Sequence, residues 1–529
     1  MNGTRISDGA RRKSVLAGAA MIALLATPAT GQEVAPRLAL TAAVQVTANP
    51  TPVRAHSSPQ IARNPTNGEL VLVESDLRGA RTCAIHISTD GGRSWSPGGD
   101  PMLKPFNDCG FYGEYGPYAT LAFAKNGDLY VAFVASEFLG RARNETPRPV
   151  FLARSDDGGR SFTATTKVYD APDGNPDLGL NKGPMLAVDP SAPERVYVGW
   201  RQGIFTPSAK AKRKSMVAAS VDGGRTFGPP VDLTDERGGD YPGLAVGADG
   251  TVHAVFQASA FPPAPAGSPP GPAKPIQYSR SADQGKTWSK GIDIDPGAQS
   301  TGRPPLLAAD PNSGSLYMVW YATAEVNNQA TGFEGFQDIY LRPSADGGKT
   351  WGERVTVNDD RLKVNHYEPG LSIAPNGRLD IAWYDFRNNP APALPASGQG
   401  SEEGISDVYY ASSSDRGRTV GPNLRITDRG IDRSFGVWKF ASKFNVGISS
   451  TNDTVYFAWQ DTRNAIRDSS AEDVYTASLA LTAKAETSDS GGPDVPVWLL
   501  VGAGVAVGMG LTMVAVWRVR RSHSEDPIR

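Results

Sequence analysis

Cysteine and histidine are scarce in this chain of 529 residues, which holds two cysteines and five histidines. The histidines are scattered and form no H-E-x-x-H zinc motif, and the chain contains neither a G-x-S-x-G nucleophile motif nor a phosphate-cradling glycine loop. The familiar signatures of zinc peptidases, α/β-hydrolases and P-loop enzymes are therefore absent.

An excess of charge of one sign is also missing, with 53 basic and 55 acidic residues. Nucleic-acid binders usually carry a strong basic excess, so we expect no nucleic-acid partner. Glycine (58) and proline (42) are abundant without a collagen period, and aromatic residues are plentiful. This composition favours many short strands joined by turns over disorder.

The N-terminus has the pattern of an export signal. Arg11, Arg12 and Lys13 precede the apolar run "SVLAGAAMIALLA", and small residues near Ala29 offer a cleavage site. The run is too short to span a bilayer easily, so we predict a signal peptide over 1–31, with an uncleaved anchor as the alternative. The arginine pair weakly suggests a twin-arginine signal.

The C-terminal region has the pattern of a membrane span. Residues 495–517 form an uncharged run of 23 residues, long enough as a helix for a hydrocarbon core of about 30 Å. The basic tail 518–529 follows it, and the polar linker 482–494 precedes it. We expect a single-pass protein of the cell membrane with its main domain outside the cytoplasm. A buried core helix is the alternative for 495–517.

Both cysteines, Cys83 and Cys109, lie in the part that we expect to be exported. An oxidising location allows one disulfide between them, which would tie the third strand of the first repeat to the loop before the second repeat. Two free buried thiols are the alternative.

Internal repetition dominates the region 40–481. The stretch "STDGGRSW" at 88–95 has five near copies, and its acidic residue recurs at Asp90, Asp157, Asp222, Asp283, Asp346 and Asp415. Each copy, an Asp box, lies inside a longer unit of four short alternating strands such as "PYATLAFA", "LYVAFVAS" and "PVFLARS". Four strands of this kind form one propeller blade.

Seven such units can be counted, which predicts an all-β, seven-bladed β-propeller. The seventh unit lacks a box and a fourth strand, and "AAVQVTANP" at 42–50 resembles the fourth strands of other units. We therefore expect this N-terminal strand to close the last blade and remove the exposed sheet edges. A six-bladed ring with one degenerate unit is the alternative.

The box itself is expected to be a structural turn between the third and fourth strands. Its aspartate can accept hydrogen bonds from the backbone of its own turn, and a group repeated six times around a ring cannot converge on one substrate. In an up-and-down blade the 1–2 and 3–4 turns share one end. Ligand chemistry is therefore expected at the other end.

Two sets of residues should meet at that opposite end. Residues before the inner strands are Tyr115, Tyr118, Lys182, Asp240, Tyr241, Arg303, Tyr367, Glu368 and Lys443. The second strands end in an acid-x-Arg pattern: Asp76 with Arg78, Asp385 with Arg387, and Asp461 with Arg463, with Arg201 in a similar place.

These residues suggest a carboxylate-binding site, although each also has a simpler interpretation. The arginines, with Arg303 as the best single candidate, would bind a carboxylate bidentately, or the acid-x-Arg pairs would lock neighbouring blades. Tyr367 and Glu368 would act as nucleophile and base with Asp240 as acid, or they would be wall contacts.

Metal ions have little support in the sequence, and no cofactor is expected. The loop "DAPDGNPDLGLN" carries Asp170, Asp173, Asn175 and Asp177, which is acidic enough for Ca²⁺ but lacks EF-hand spacing. A plain loop is the simpler interpretation.

The repeated boxes resemble those of bacterial BNR/Asp-box proteins of the sialidase-like superfamily, over nearly the whole exported region. The resemblance implies a six-bladed ring with an arginine triad for a substrate carboxylate, a Tyr–Glu nucleophile pair and an aspartate acid/base. The Arg-Ile-Pro motif of that family has its nearest match in Arg303-Pro304-Pro305, after four boxes.

Two functions follow as hypotheses, since a fold alone does not determine an activity. The first is a non-catalytic propeller that binds glycan or protein ligands at the cell envelope. The second is a membrane-anchored exo-sialidase or other glycoside hydrolase.

Overall fold

The structure is a computed structural model of the whole chain. It describes residues 38–47, 54–78, 82–102, 108–109, 119–136, 148–170, 180–203, 213–259, 274–295, 305–323, 336–389, 404–434, 445–465 and 471–481. These residues form strands and turns, and none of them belongs to a helix that could cross a membrane. The predicted signal peptide and the predicted span 495–517 lie outside the described residues.

The strands form seven antiparallel units, numbered here in chain order. Unit 1 consists of Arg54–Arg63, Leu70–Asp76, Thr82–Ser88 and Ser96–Pro97. Unit 2 consists of Ala119–Phe123, Leu129–Ser136, Val150–Ser155 and Ala164–Tyr169. Unit 3 consists of Leu180–Val188, Val196–Gly203, Arg213–Ser220 and Val231–Asp232. Unit 4 consists of Gly243–Val246, Val252–Gln257, Ile276–Ser281 and Ile292–Asp295. Unit 5 consists of Leu306–Ala309, Leu316–Thr323, Gln337–Ser344 and Val355–Thr356.

Unit 6 consists of His366–Ile373, Leu379–Asp385, Ile405–Ser413 and Leu424–Arg425, and unit 7 of Gly447–Ser450, Thr454–Asp461 and Ala471–Ala480. Four further short strands join the sheets at their margins: Asp108–Cys109 in unit 2, Ile431–Asp432 in unit 6, and Ala39–Leu40 and Val44–Gln45 in unit 7.

The second strand of each unit is buried on both faces, because neighbouring units cover it on either side. Its sequence is therefore a nearly continuous apolar run, as in "LYVAFVAS" of unit 2. Trp200, Trp383 and Trp459 occupy equivalent places in units 3, 6 and 7, and each is less than 2% exposed. The core consequently lies between the units as well as within them.

The first strands of successive units contact one another in order, and the first strand of unit 7 contacts that of unit 1. Small residues permit this close approach. A Cβ atom on Gly370 would collide with the Val446 carbonyl of unit 7, and one on Gly447 would lie 2.8 Å from the Pro59 carbonyl of unit 1. Contacts between first strands therefore run from unit 1 through unit 7 and back to unit 1.

Unit 7 is completed by the N-terminal segment, as the sequence predicts. Val44 and Gln45 pair antiparallel with Thr476 and Tyr475 of its third strand. That third strand also pairs in parallel with Arg54 and Ala55 of unit 1. Two connections therefore join the ends of the described chain at the boundary that we call the seam, between unit 7 and unit 1.

The six Asp boxes are rigid turns between third and fourth strands. In the second box Ser161 donates to Asp157 from its backbone N–H (2.9 Å) and from its hydroxyl (2.6 Å). The Ser155 hydroxyl donates to the same carboxylate (2.7 Å) and accepts from the Gly159 N–H (2.7 Å). These hydrogen bonds outweigh burial and lower the pKa of Asp157 to about 2, so the turn is locked by an ionised carboxylate.

Each box also contacts the preceding unit. Arg160 of the second box forms a bidentate pair with Glu69 in the 1–2 turn of unit 1, at 2.7 and 3.0 Å. Trp95 of the first box donates to the Thr476 hydroxyl of unit 7 (3.2 Å), across the seam. The boxes therefore fasten units together at one end, which we call the box end.

Cys83 and Cys109 form a disulfide, with their Cα atoms 5.5 Å apart. Cys83 lies in the third strand of unit 1, and Cys109 lies in the short strand that pairs with unit 2. The bond therefore links two neighbouring units.

Candidate functional site

The acid-x-Arg residues lie at the end away from the boxes, where their arginines are engaged by acids of the chain. Arg387 contacts Asp385 of its own strand end (2.8 Å), and it reaches Asp359 (2.7 Å) and Asp360 (3.0 Å), which follow the last strand of unit 5. Its guanidinium also stacks on the Tyr409 ring at 4.1 Å.

Arg463 and Arg78 follow the same arrangement. Arg463 pairs with Asp461 (2.8 Å) and with Asp428 of the loop leading out of unit 6 (2.9 Å). Arg78 pairs with Asp76 through two hydrogen bonds. The structure thus favours the interpretation that these arginines lock the chain locally and between units, rather than forming a ring that awaits a ligand carboxylate.

Asp240, a candidate acid/base, is fully buried between two arginines. Arg201 lies 3.3 Å from its carboxylate and Arg213 lies 3.2 Å from it. Arg201 also stacks over the Tyr241 ring at 4.5 Å. Asp240 therefore holds two cations in place between units 3 and 4, which is a positioning role rather than that of a proton donor.

The carboxylate of Glu368 contacts a different tyrosine from the adjacent one proposed from sequence. Tyr321, at the end of the second strand of unit 5, donates its hydroxyl hydrogen to Glu368 at 3.3 Å. Tyr367 packs among aromatic rings, 5.3 Å from Phe386 and 6.4 Å from Tyr384. The buried Tyr–Glu contact shown here is thus Tyr321–Glu368.

Glu368 is held in an unusual backbone conformation. Its φ angle is +57°, in the left-handed region, at a bulge in the first strand of unit 6. Units 1 and 3 have a bulge at the equivalent place, where Ser58 (φ +58°) and Gly183 (φ +54°) adopt the same conformation. Left-handed geometry costs a residue with a side chain about 1–2 kcal/mol, and units 1 and 6 both bear this cost at the bulge.

Glu472 is the second buried carboxyl group of this region. It lies at the start of the third strand of unit 7 and is 3% exposed. Burial raises its pKa to about 8, although Arg433, the Gln460 amide and His56 all act in the opposite direction. At neutral pH Glu472 is therefore mostly protonated and can donate a proton.

Hydrogen bonds through Gln460 connect Glu472 to Tyr384, a ring whose pKa responds to Glu368. The Gln460 side chain donates to Glu472 (2.8 Å), and the Gln460 backbone N–H donates to the Tyr384 hydroxyl (3.1 Å). Arg433 lies over the Tyr384 ring at 4.4 Å. Burial raises the pKa of Tyr384, and the nearby Glu368 carboxylate adds to the increase. Residues of units 5, 6 and 7 thus meet in one buried polar cluster.

A third group of acids surrounds His366 and has the composition of a metal site. Ligand atoms of Asp360, His366 and Asp385 lie within 4.8 Å of one another. The Arg387 guanidinium contacts both carboxylates, and His366 bonds to Asp360 at 2.8 Å. Burial by itself would lower the pKa of His366, but hydrogen bonds to carboxylates outweigh burial and raise this pKa to about 10. Two cations, Arg387 and the charged His366, therefore neutralise these acids in this structure.

Several predicted site residues cannot be placed. Arg303, Lys443, Tyr115 and Tyr118 lie outside the described residues, as does most of the acidic loop proposed for Ca²⁺. Lys182 pairs in register with Arg201 in unit 3.

A cleft of about 310 Å³ lies away from this cluster, at the box end of the seam. Its lining includes Asp90 and Trp95 of the first box and Tyr456 of unit 7. Its described lining residues do not include a pair of carboxyl groups in which one could accept a proton and the other donate one. We therefore place the candidate site in the polar cluster.

No known protein-family model matches the chain, and no curated protein is similar to it in sequence. Solved structures are similar in fold. The Hadza microbial sialidase Hz136 has 15% identity and a TM-score of 0.42, over 68% of this chain and 64% of that one, so the chain spans less than two thirds of the sialidase.

Two other similar structures act on different glycans. The GH93 α-L-arabinofuranosidase of Fusarium graminearum has 16% identity and a TM-score of 0.41, over 70% of this chain and 97% of that one. A PL25 ulvan lyase has 12% identity and a TM-score of 0.48, over 82% and 95%. The similar structures include a sialidase, the class that the Asp-box resemblance implies, but these values are too low to transfer an activity.

Proposed function

We propose that this chain is a carbohydrate-active, seven-bladed β-propeller that hydrolyses a glycosidic bond at the end opposite the Asp boxes. The observation that carries the proposal is the buried Tyr321–Glu368 contact, in which the glutamate occupies a left-handed backbone position at a strand bulge. The return of first-strand contacts from unit 7 to unit 1 supports the closed ring of seven blades.

The roles of the residues follow from their environments. Glu368 accepts the phenolic proton as Tyr321 attacks the anomeric carbon, because a phenol with a pKa near 10 needs a base. Glu472, protonated at neutral pH, gives its proton to the departing glycosidic oxygen. Water then attacks the anomeric carbon and gives a proton to Glu472, while the glycosyl–tyrosine bond breaks and Glu368 returns the phenolic proton to the Tyr321 oxygen.

The setting of this reaction is the cell surface in our proposal. The apolar run 495–517 and its basic flank support a single-pass anchor, and the export signal supports a location outside the cytoplasm. The disulfide between Cys83 and Cys109 suits an oxidising compartment.

Turnover of model glycosides tests the proposal. The full-length chain in detergent micelles is incubated with fluorogenic α-sialosides, α-L-arabinofuranosides and uronides. We expect turnover of one class, and a loss of about 10²-fold or more in Glu368→Gln and in Glu472→Gln. Glu194→Gln, an exposed glutamate at the box end, is the matched control and should retain the full rate.

One observation favours a second function, a non-catalytic propeller that binds glycan or protein at the envelope. Arg78, Arg387 and Arg463 all pair with acids of the chain, so among the described residues they do not form a carboxylate-binding triad. Absence of turnover across the panel, together with saturable binding to a glycan array, would support this function and contradict the hydrolase.

A further inference from the structure

Three titratable side chains near the seam, two buried and one half-buried, have no part in the proposed reaction. His56, Glu74 and His86 lie on the first, second and third strands of unit 1. The Glu74 carboxylate lies 3.0 Å from Nδ1 of His56 and 3.4 Å from Nε2 of His86. The His56 and Glu74 side chains are 2% and 0% exposed, so each needs the other as a partner in the protein interior.

The backbone brings this group beside Glu472. Ala55 of unit 1 pairs in parallel with Glu472 of unit 7, so His56 follows directly on the strand that lies next to the proposed acid. Glu472 has Arg433 and the Gln460 amide on its other sides. His56 is also influenced by Asp76 and Arg78 at the end of its neighbouring strand.

We propose that Glu74 holds His56 in its charged form beside Glu472, so that Glu74 and His56 act as positioning residues for the proton of the catalytic acid. This inference rests on the proposed function. Burial opposes a charged His56, but the hydrogen bond and charge of Glu74 raise its pKa above the ordinary value. The positive charge of His56 in turn lowers the pKa of Glu472, against the larger effect of burial.

The direction of a pH shift distinguishes this role from a merely structural one. Loss of the Glu74 charge removes the main interactions that raise the pKa of His56, so burial disfavours its charged form and Glu472 then keeps its proton to a higher pH. We expect the alkaline limb of turnover in Glu74→Gln to move up by roughly one pH unit. His56→Gln removes the cation directly and should move the limb in the same direction, which provides a second variant if Glu74→Gln fails to fold.

A stability cycle gives the same information without activity. The free energy of unfolding of the full-length chain is measured from pH 5 to 9.5 for wild type, Glu472→Gln, Glu74→Gln and the double variant. The contribution of Glu472 to the pH dependence is the difference between a protein that has Glu472 and the same protein with Glu472→Gln. In the Glu74→Gln background this contribution should extend to a higher pH than in the wild type. The control is His253→Gln in unit 4, whose buried imidazole bonds to Tyr278 at 2.7 Å and should shift neither measurement.

The outcomes separate the two proposals. If the wild type turns over a glycoside and neither measurement shifts in Glu74→Gln or His56→Gln, the positioning role is refuted while the hydrolase stands. If no glycoside is turned over, the proposed reaction fails, and the stability cycle alone decides whether His56 and Glu74 control the ionisation of Glu472. A downward shift in either measurement would also overturn the inference.

Discussion

Glutamine in place of Glu472 should make the protein more stable in alkaline solution. The pKa of this carboxyl group rises from 4.5 to about 8 on folding, so the unfolded chain releases the proton first as the pH increases. Wild-type stability therefore falls between about pH 4.5 and pH 8 and levels off above that range. At 1.36 kcal/mol per pKa unit, the loss amounts to at most roughly 5 kcal/mol.

Urea unfolding at pH 5 and at pH 8.5 measures this effect. Glu472→Gln keeps a neutral group that can accept the hydrogen bond from Gln460, and it removes the cost of ionisation. We expect the variant to match the wild type at pH 5 within about 1 kcal/mol and to exceed it by several kcal/mol at pH 8.5. Equal pH dependence in the two proteins would refute the assignment of Glu472 as a buried, protonated acid.

Three further predictions concern the strained glutamate, the boxes and the disulfide. Glu368→Gly should be about 1 kcal/mol more stable than Glu368→Ala in urea unfolding, because glycine tolerates the left-handed backbone, and both should lose turnover; equal stability would contradict the strain. Asp157→Ala should cost about 1–3 kcal/mol at pH 7, with the deficit shrinking as the pH falls from 3.8 to about 2 and the wild-type carboxylate is protonated. Reduction of the Cys83–Cys109 bond, which spans 26 residues, should lower stability by about 3 kcal/mol in calorimetry with and without reductant; an unchanged transition would count against a stabilising role.

The features that sequence predicts well are local ones. The Asp157 turn is closed by side chains and amides within four positions, so its residue pattern alone indicates its geometry. Strand alternation likewise identifies the units, and the likeness of 42–50 to other fourth strands points to the pairing of Val44 and Gln45 with unit 7.

The features that sequence misses depend on contacts between distant residues. Tyr321 and Glu368 are 47 positions apart, and the neighbouring Tyr367 gave a simpler but different pairing. Glu472 lies in an ordinary strand, and only complete burial raises its pKa. Likewise, the acid-x-Arg pattern shows which residues are charged but not that Arg387 reaches across to Asp359 of the preceding unit.

Covalent trapping tests the proposed chemistry most directly. The full-length protein is incubated with a fluoro-sugar inactivator of the glycoside class that it turns over, digested and mapped by mass spectrometry. The proposal predicts one glycosyl group on the peptide that contains Tyr321, and no label when Tyr321→Phe is used. Turnover without label on Tyr321, or label on Tyr367 instead, would contradict it.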